Sequence, residues 1–281
     1  MRGNSTLFWN KKGKHSYQHH STAVKKSPVG RSLQVAHSNH QHLGARENQE
    51  DAFALSDSGD PDQVRKNGVL AVVADGMGGL SCGEVASQTA VNTFLDIYQS
   101  SSGDIRQRLY QALTVANSAV FDQAYDGQQD YDMGTTLVAA VIHDDHLYWI
   151  AAGDSRIYLL RDGKLILLSR DHIYGNHLEL DVEKGKISRE EADNHPEKDY
   201  LTSYLGLIEL PEIDSSEDPL ALQPGDLILL CSDGLYDTLS EEEIEQALKE
   251  AKGNISEKLV NSALVRKNKH QDNITVVTMA V

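Results

Sequence analysis

The apolar positions fall into blocks with two different periods. Val69–Ala74 and Leu227–Cys231 are short unbroken apolar runs, the pattern of strands buried on both faces. From Glu84 to Tyr98, residues Val85, Thr89, Val91, Phe94, Leu95 and Tyr98 recur at helical spacing. Ile105 to Tyr125 repeats that spacing with Leu109, Ala112, Leu113, Ala116, Val120 and Ala124, which predicts two long helices in succession. Four strands are expected next, at Thr135–Ile142, Leu147–Ala152, Ile157–Leu160 and Lys164–Leu168. Asp144-Asp145 and Asp162-Gly163 are placed to turn them into hairpins. Ser240 with Glu243 forms a capping box that opens a helix to about Ala251. A further helix is expected over Ser256–Arg266 and a closing strand over Ile274–Val281. Helices in pairs and strands in hairpins exclude a βαβ repeat and argue for an antiparallel α+β layered sandwich.

Two segments stand apart. Residues 1–31 are rich in Lys, His, Ser, Asn and Gln and read as a disordered basic, His-rich tail, with the folded domain spanning 32–281. That tail is either a basic arm for an anionic partner or a simple loose terminus. Residues 173–200 are polar, end a helix at Lys184-Gly185 and carry a second capping box, Ser188 with Glu191. They read as a surface insertion with one or two short helices, of the length used for lids and binding elements. The spacer Ser56–Gly68 is acidic (Asp57, Asp60, Asp62); a solvated hairpin loop is expected there, with a calcium loop as the alternative.

The charge balance narrows the function. The chain has 281 residues, 42 acids and 26 Lys plus Arg, a net charge of −16. The first 36 residues hold seven bases and no acid, so the remainder sets 42 acids against 19 bases, a net −23. A body this acidic is a poor nucleic-acid binder and repels phosphate unless cations intervene. Cys82 and Cys231 are too few for a disulfide framework and suit a reducing compartment. Neither a bilayer-spanning run nor a secretory signal is expected.

The chemistry shows as carboxylates at strand ends. Ala71–Ala74 runs into Asp75-Gly76, Trp149–Gly153 into Asp154, and Leu229–Ser232 into Asp233-Gly234. Glu50-Asp51 precedes Ala52–Leu55, and Asp272-Asn273 precedes Ile274–Val277. Each alone reads as a turn. Gathered at one sandwich edge, they would repel unless cations sat among them. An all-oxygen donor set suits Mg²⁺ or Mn²⁺ and disfavours zinc. Gly76 permits close backbone approach, so its carbonyl is a further candidate ligand. Arg46 is a candidate phosphate grip, or else a plain salt bridge, and Arg156 reads as a structural ion pair.

In order along the chain, Arg46–Asp51, Val73–Gly79, Gly134-Thr135-Thr136, Gly153–Arg156, Asp171-His172, Ser232–Gly234 and Asp272-Asn273 resemble the bacterial members of the metal-dependent (PPM, type 2C-like) serine/threonine protein phosphatases. The resemblance covers about residues 35–281. It implies a four-layer α/β/β/α sandwich with two central antiparallel sheets and a flap, about 173–200, beside the active site. It further implies that Asp75 bridges two Mn²⁺ or Mg²⁺ ions, that Asp233 and Asp272 complete one site, and that Glu50 and the Gly76 carbonyl complete the other. Asp154, with Asp233, matches a third, weaker ion site, and Arg46 would hold the phosphoryl oxygens. The implied reaction is attack on phosphoserine or phosphothreonine by a metal-bridging hydroxide, without a phosphoenzyme. Implied partners are phosphorylated proteins, substrates of a cognate serine/threonine kinase; a cytoplasmic monomer is expected. The alternative is a catalytically silent pseudophosphatase, against which the intact set of Glu50, Asp75, Asp233 and Asp272 argues. Met77 stands where animal relatives place a proposed acid histidine and cannot donate a proton. Cys82 lies near the site and is a candidate for oxidation, or an inert thiol.

Overall fold

The computed structural model describes residues 34–78, 82–125, 133–250 and 253–281. The expected tail, 1–31, lies outside them. The strands are β1 (Ala36–His42), β2 (Asp51–Leu55), β3 (Val69–Gly78), β4 (Met133–Thr135), β5 (Leu137–His143), β6 (His146–Ala152), β7 (Arg156–Arg161), β8 (Lys164–Leu167), β9 (Asp214–Ser215), β10 (Leu220–Ala221), β11 (Leu227–Cys231) and β12 (Ile274–Ala280). The helices are α1 (Pro61–Asn67), α2 (Cys82–Ser100), α3 (Ile105–Ala124), α4 (Tyr174–Glu183), α5 (Arg189–Asp193), α6 (Asp233–Tyr236), α7 (Glu241–Glu250) and α8 (Ile255–Leu264).

They form two antiparallel sheets. One has the order β1-β12-β11-β7-β8, the other β10-β6-β5-β3-β2, with β9 also on β6 and β4 on β3. Alternation along the strands divides their side chains between layers. In β3, Leu70, Val72 and Ala74 face α2 and α3, while Val69, Ala71 and Val73 face the other sheet. In β11, Ile228 and Leu230 face between the sheets, while Leu227, Leu229 and Cys231 face α7 and α8. Both faces of each run are therefore covered, which explains why neither run alternates with polar residues. The result is the α/β/β/α order of layers, a mixed α+β fold.

The hairpins turn where expected. Asp144 and Asp145 have φ of 48° and 60°, and Asp162 and Gly163 have 52° and 72°, the left-handed pair that a two-residue turn between twisted strands requires. The expected strand at Thr135 is split into β4 and β5 at Thr136, because both threonines turn to bind the backbone of β3. The spacer 56–68 differs from expectation: it is not a bare hairpin loop but contains α1. Asp60 caps that helix, its Oδ1 accepting from the Asp62 and Gln63 amides at 2.9 and 3.2 Å, and Pro61 opens it. Asp57 accepts from Gly59 at 2.7 Å, so these acids cap backbone and do not build a calcium loop. Strand β1 was not foreseen either. Its sequence, AHSNHQH, has one apolar residue, and its place is set by pairing with β12 from Ala36–Ala280 to His42–Ile274. In the 173–200 insertion, α4 and α5 form, and Ser188 and Glu191 complete the expected box. Among the described residues, no helix is long and apolar enough to cross a membrane.

Candidate active site

The acidic strand ends meet at one edge of the sandwich. Asp75 lies on β3 directly opposite Asp51 on β2. Its backbone is held on both sides. The Asp75 amide donates to Thr136 Oγ1 at 2.9 Å, and its carbonyl accepts from the Thr136 amide and the Thr135 hydroxyl, both at 2.9 Å. Asp51 ties the sheets together: its Oδ2 accepts from Ser232 and Thr275 hydroxyls at 2.7 Å each.

Glu50 and Gly76 come together around the start of α2. The Gly76 amide donates to the Glu50 carbonyl at 3.0 Å. A Cβ on Gly83 would sit 2.8 Å from the Gly76 carbonyl oxygen and 2.9 Å from the Glu50 carboxyl, so both oxygen donors border the same point. A Cβ on Gly76 would fall 2.0 Å from the Gly83 carbonyl oxygen, which excludes any larger residue there. Asn273 staples this loop, accepting from the Glu50 amide at 2.7 Å and donating to the Leu43 and Asn48 carbonyls at 2.8 and 3.0 Å. Arg46, on the same loop and half-exposed, donates to Asp272 at 2.5 Å.

Burial and crowding raise the proton affinity of these carboxyls. Burial pushes Asp75 well above the usual carboxylate range, helped by Asp51, Asp233, Asp154 and Asp272. Burial brings Asp154 up to about 7, with Asp233 and Asp171 adding to it. Asp51 also rises to about 7, through burial that outweighs its two hydroxyl donors. Asp233 rises to about 6 through burial, Asp272 and Asp237, against a hydrogen bond to Asp75. Glu50 is raised by burial, Arg46 opposing.

Among the described residues, no three Asp, Glu, His or Cys side chains already converge as a closed metal cage. The donor chemistry nevertheless fits hard divalent cations. The donors are all oxygen, the carboxyls crowd one another, and Asp51 Oδ1 and Asp233 Oδ1 are buried without a hydrogen-bond partner.

Of the residues singled out from sequence, Glu50, Asp75, Gly76, Asp154, Asp233, Asp272 and Arg46 all fall at this edge. Met77 sits on β3 opposite Gly134. Cys82 opens α2, half-buried against the helix-side core. Arg156 forms the expected ion pair, its Nε and Nη2 forking onto Asp171 at 3.1 and 2.7 Å. Sequence reasoning missed Asp237, whose charge bears on both Asp154 and Asp233. Its signal was its position four residues after Asp233. It named Asn273 only as part of the Asp272-Asn273 pair, without its role, and missed Tyr236; both act through hydrogen bonds that no spacing reveals.

The layered α+β sandwich with its acidic edge belongs to a family that comparison names. Residues 39–266 match the family described as protein phosphatase 2C. The chain is 35% identical over 228 residues to the serine/threonine phosphatase stp of Listeria monocytogenes, covering 79% of this chain and 88% of that one. The Mycobacterium tuberculosis serine/threonine phosphatase PstP/Ppp superimposes with a TM-score of 0.70 at 32% identity, covering 89% of this chain and 99% of that one. The catalytic domain of PstP in complex with two manganese ions gives a TM-score of 0.66 at 32% identity, over 88% and 97% of the two chains. The chain belongs to the protein phosphatase 2C family.

Proposed function

We propose that this protein-serine/threonine phosphatase hydrolyses phosphoserine and phosphothreonine in protein substrates at the acidic edge, with divalent cations as cofactors. The enzyme class follows from the family. The observation that carries the site is the set of buried carboxyls facing one another, Asp75, Asp154 and Asp233, with Arg46 at their rim. Asp75, Asp233 and Asp272 would hold one ion, and Glu50, Asp75 and the Gly76 carbonyl a second. Asp154, with Asp233 and Asp237, would hold a weaker third. Once bound, such ions lower the pKa of water and neutralise charge on the phosphoryl oxygens.

The chain's own residues set the rest. Thr135 and Thr136 fix the Asp75 backbone and so the point from which its carboxyl projects. Arg46 releases Asp272 and grips two phosphoryl oxygens with its planar fork. Water adds to phosphorus as the bond to the serine or threonine oxygen breaks. Met77 has no proton to give, so the departing oxygen takes its proton from water. The partners are phosphorylated proteins, products of a serine/threonine kinase.

The test is release of phosphate from a phosphothreonine peptide in EDTA and then with Mn²⁺ added. The reading predicts no turnover in EDTA and full recovery with Mn²⁺. Peptide binding without hydrolysis at any Mn²⁺ concentration would show a silent phosphoprotein binder instead.

A further inference from the structure

The turn that carries Asp154 is short, glycine-led and placed against like charge. Gly153 has φ of 106°, and a Cβ there would meet Thr136 at 2.6 Å, so the turn lies hard against β3's threonine partner. The Asp154 turn meets the short helix that Asp233 opens, and two carboxyls of like charge do not hold each other in place. Something else must fix the turn.

Tyr236 does so from the helix that Asp233 opens. Asp233 and Tyr236 are three residues apart in α6, hence on one side of it. The Tyr236 hydroxyl donates to the Asp154 carbonyl at 3.0 Å. The ring is held in turn: the Arg156 guanidinium lies over it, 3.7 Å from the centroid. That guanidinium is clamped by Asp171 and donates to the Tyr158 hydroxyl at 3.1 Å. On its other side the turn is pinned by His172, whose amide donates to the Gly153 carbonyl at 2.9 Å and whose Nδ1 accepts from the Gly153 amide at 3.1 Å.

We propose that Tyr236 is a positioning residue that locks the Asp154 turn to the helix bearing Asp233, presenting the two repelling carboxyls together for a divalent cation. Arg156 acts through Tyr236 by fixing its ring. The proposal rests on reading Asp154 as a ligand of the weaker ion. Its consequence is specific to affinity: without the hydroxyl the turn keeps only its His172 tether and drifts more readily from Asp233, and excess cation draws it back.

The experiment is Mn²⁺ titration of the metal-free full-length protein by calorimetry, with melting curves in EDTA and turnover against Mn²⁺ concentration. The proteins are the wild type, Tyr236→Phe, Arg156→Lys and Asp154→Ala. One net hydrogen bond corresponds to a loss of roughly 3–10-fold in affinity. Tyr236→Phe should weaken the weakest Mn²⁺ site by about that factor, leave the two tighter sites alone, and raise the Mn²⁺ concentration for half-maximal turnover in parallel, with excess Mn²⁺ recovering the rate. Arg156→Lys, which keeps the charge but loses the planar stack and fork, should shift the same site in the same direction. Unchanged weak-site affinity in both variants overturns the proposal. So does uniform weakening of all sites with a matching fall in melting temperature, which marks a merely structural role. Asp154→Ala separates the two levels: if it leaves the weak site intact, Asp154 is no ligand and the underlying reading fails as well. If it abolishes that site while Tyr236→Phe does nothing, only the role of Tyr236 falls.

Discussion

The molecule buries carboxylates in two ways. Asp226, before β11, is 2% exposed and fully partnered. Arg161 forks onto it with Nε at 2.9 Å and Nη2 at 2.5 Å, and the Gln223 amide adds a third donor at 2.8 Å. At the opposite extreme, Asp75 faces Asp51, shares a hydrogen bond with Asp233, and gains no cation from the chain. The first arrangement is complete in itself and stabilises the fold. The second leaves buried oxygens of Asp51 and Asp233 unpartnered and is tolerable only with protons or metal ions. Asp226 has its arginine, whereas Asp75, Asp51 and Asp233 face one another with hydroxyl donors and a single rim arginine, Arg46, on Asp272.

Substitutions at the two places should separate accordingly. Asp75→Asn should remove at least nine-tenths of turnover at saturating Mn²⁺, since in the proposed scheme one carboxyl serves two ions. In EDTA it should also raise the melting temperature, because it removes a buried group whose proton affinity must be raised on folding. More than a tenth of wild-type turnover would sink the bridging assignment. Asp154→Ala should cost a factor on the order of 10²–10⁴ in turnover, the range for losing acid–base help, with two Mn²⁺ still bound by calorimetry. Loss of both would instead make it a core ligand.

Asp226→Asn tests the other member of the comparison. It strands the Arg161 charge in a largely buried setting, so denaturant unfolding should show a loss of about 3–5 kcal/mol. Turnover of the folded fraction should hold near wild type. If Asp75→Asn destabilised the EDTA-treated protein as much as Asp226→Asn, the contrast between the two regions would collapse. The smallest effect belongs to the N-terminus: removing residues 1–30 should leave kcat and KM on a small phosphopeptide nearly unchanged, and loss of folding would show that the tail contributes to the core.

Legibility in the sequence followed periodicity. Long helices α2 and α3 and buried runs β3 and β11 announce themselves because whole faces are apolar. The capping boxes at Ser188 and Ser240 are equally plain, since two side chains encode each. The ligand candidates were visible as acids ending apolar runs. Asp162-Gly163 and Asp75-Gly76 show the limit of that signal. The same dipeptide makes an exposed left-handed turn in one place and lies within β3 in the other, where β2 and β4 pair on it. Strand β1 was illegible because its partners, Thr278 and Ser256 around Ser38, are 218 to 240 residues away and polar. The roles of Asn273 and Tyr236 were illegible for the same reason: their contacts are backbone carbonyls and amides brought near only by the fold.

The acidic edge has a raised affinity for protons at the place where the proposed function puts metal ions. Burial, with like charge around it, pushes Asp51 and Asp154 up to about 7 and Asp233 up to about 6, all above the unfolded carboxylate range. Between pH 4 and 7 the folded chain therefore binds protons that the unfolded chain has released. These groups stabilise the metal-free fold at low pH, and that contribution is lost as pH rises through 6 to 7. Incoming cations must displace those protons. Mn²⁺ calorimetry of the metal-free wild type, in buffers of different ionisation enthalpy, measures this directly. Binding of at least two ions is expected, with net proton release at pH 6.5 that fades by pH 8.5. Binding with no proton release at pH 6.5, or no binding at all, contradicts it.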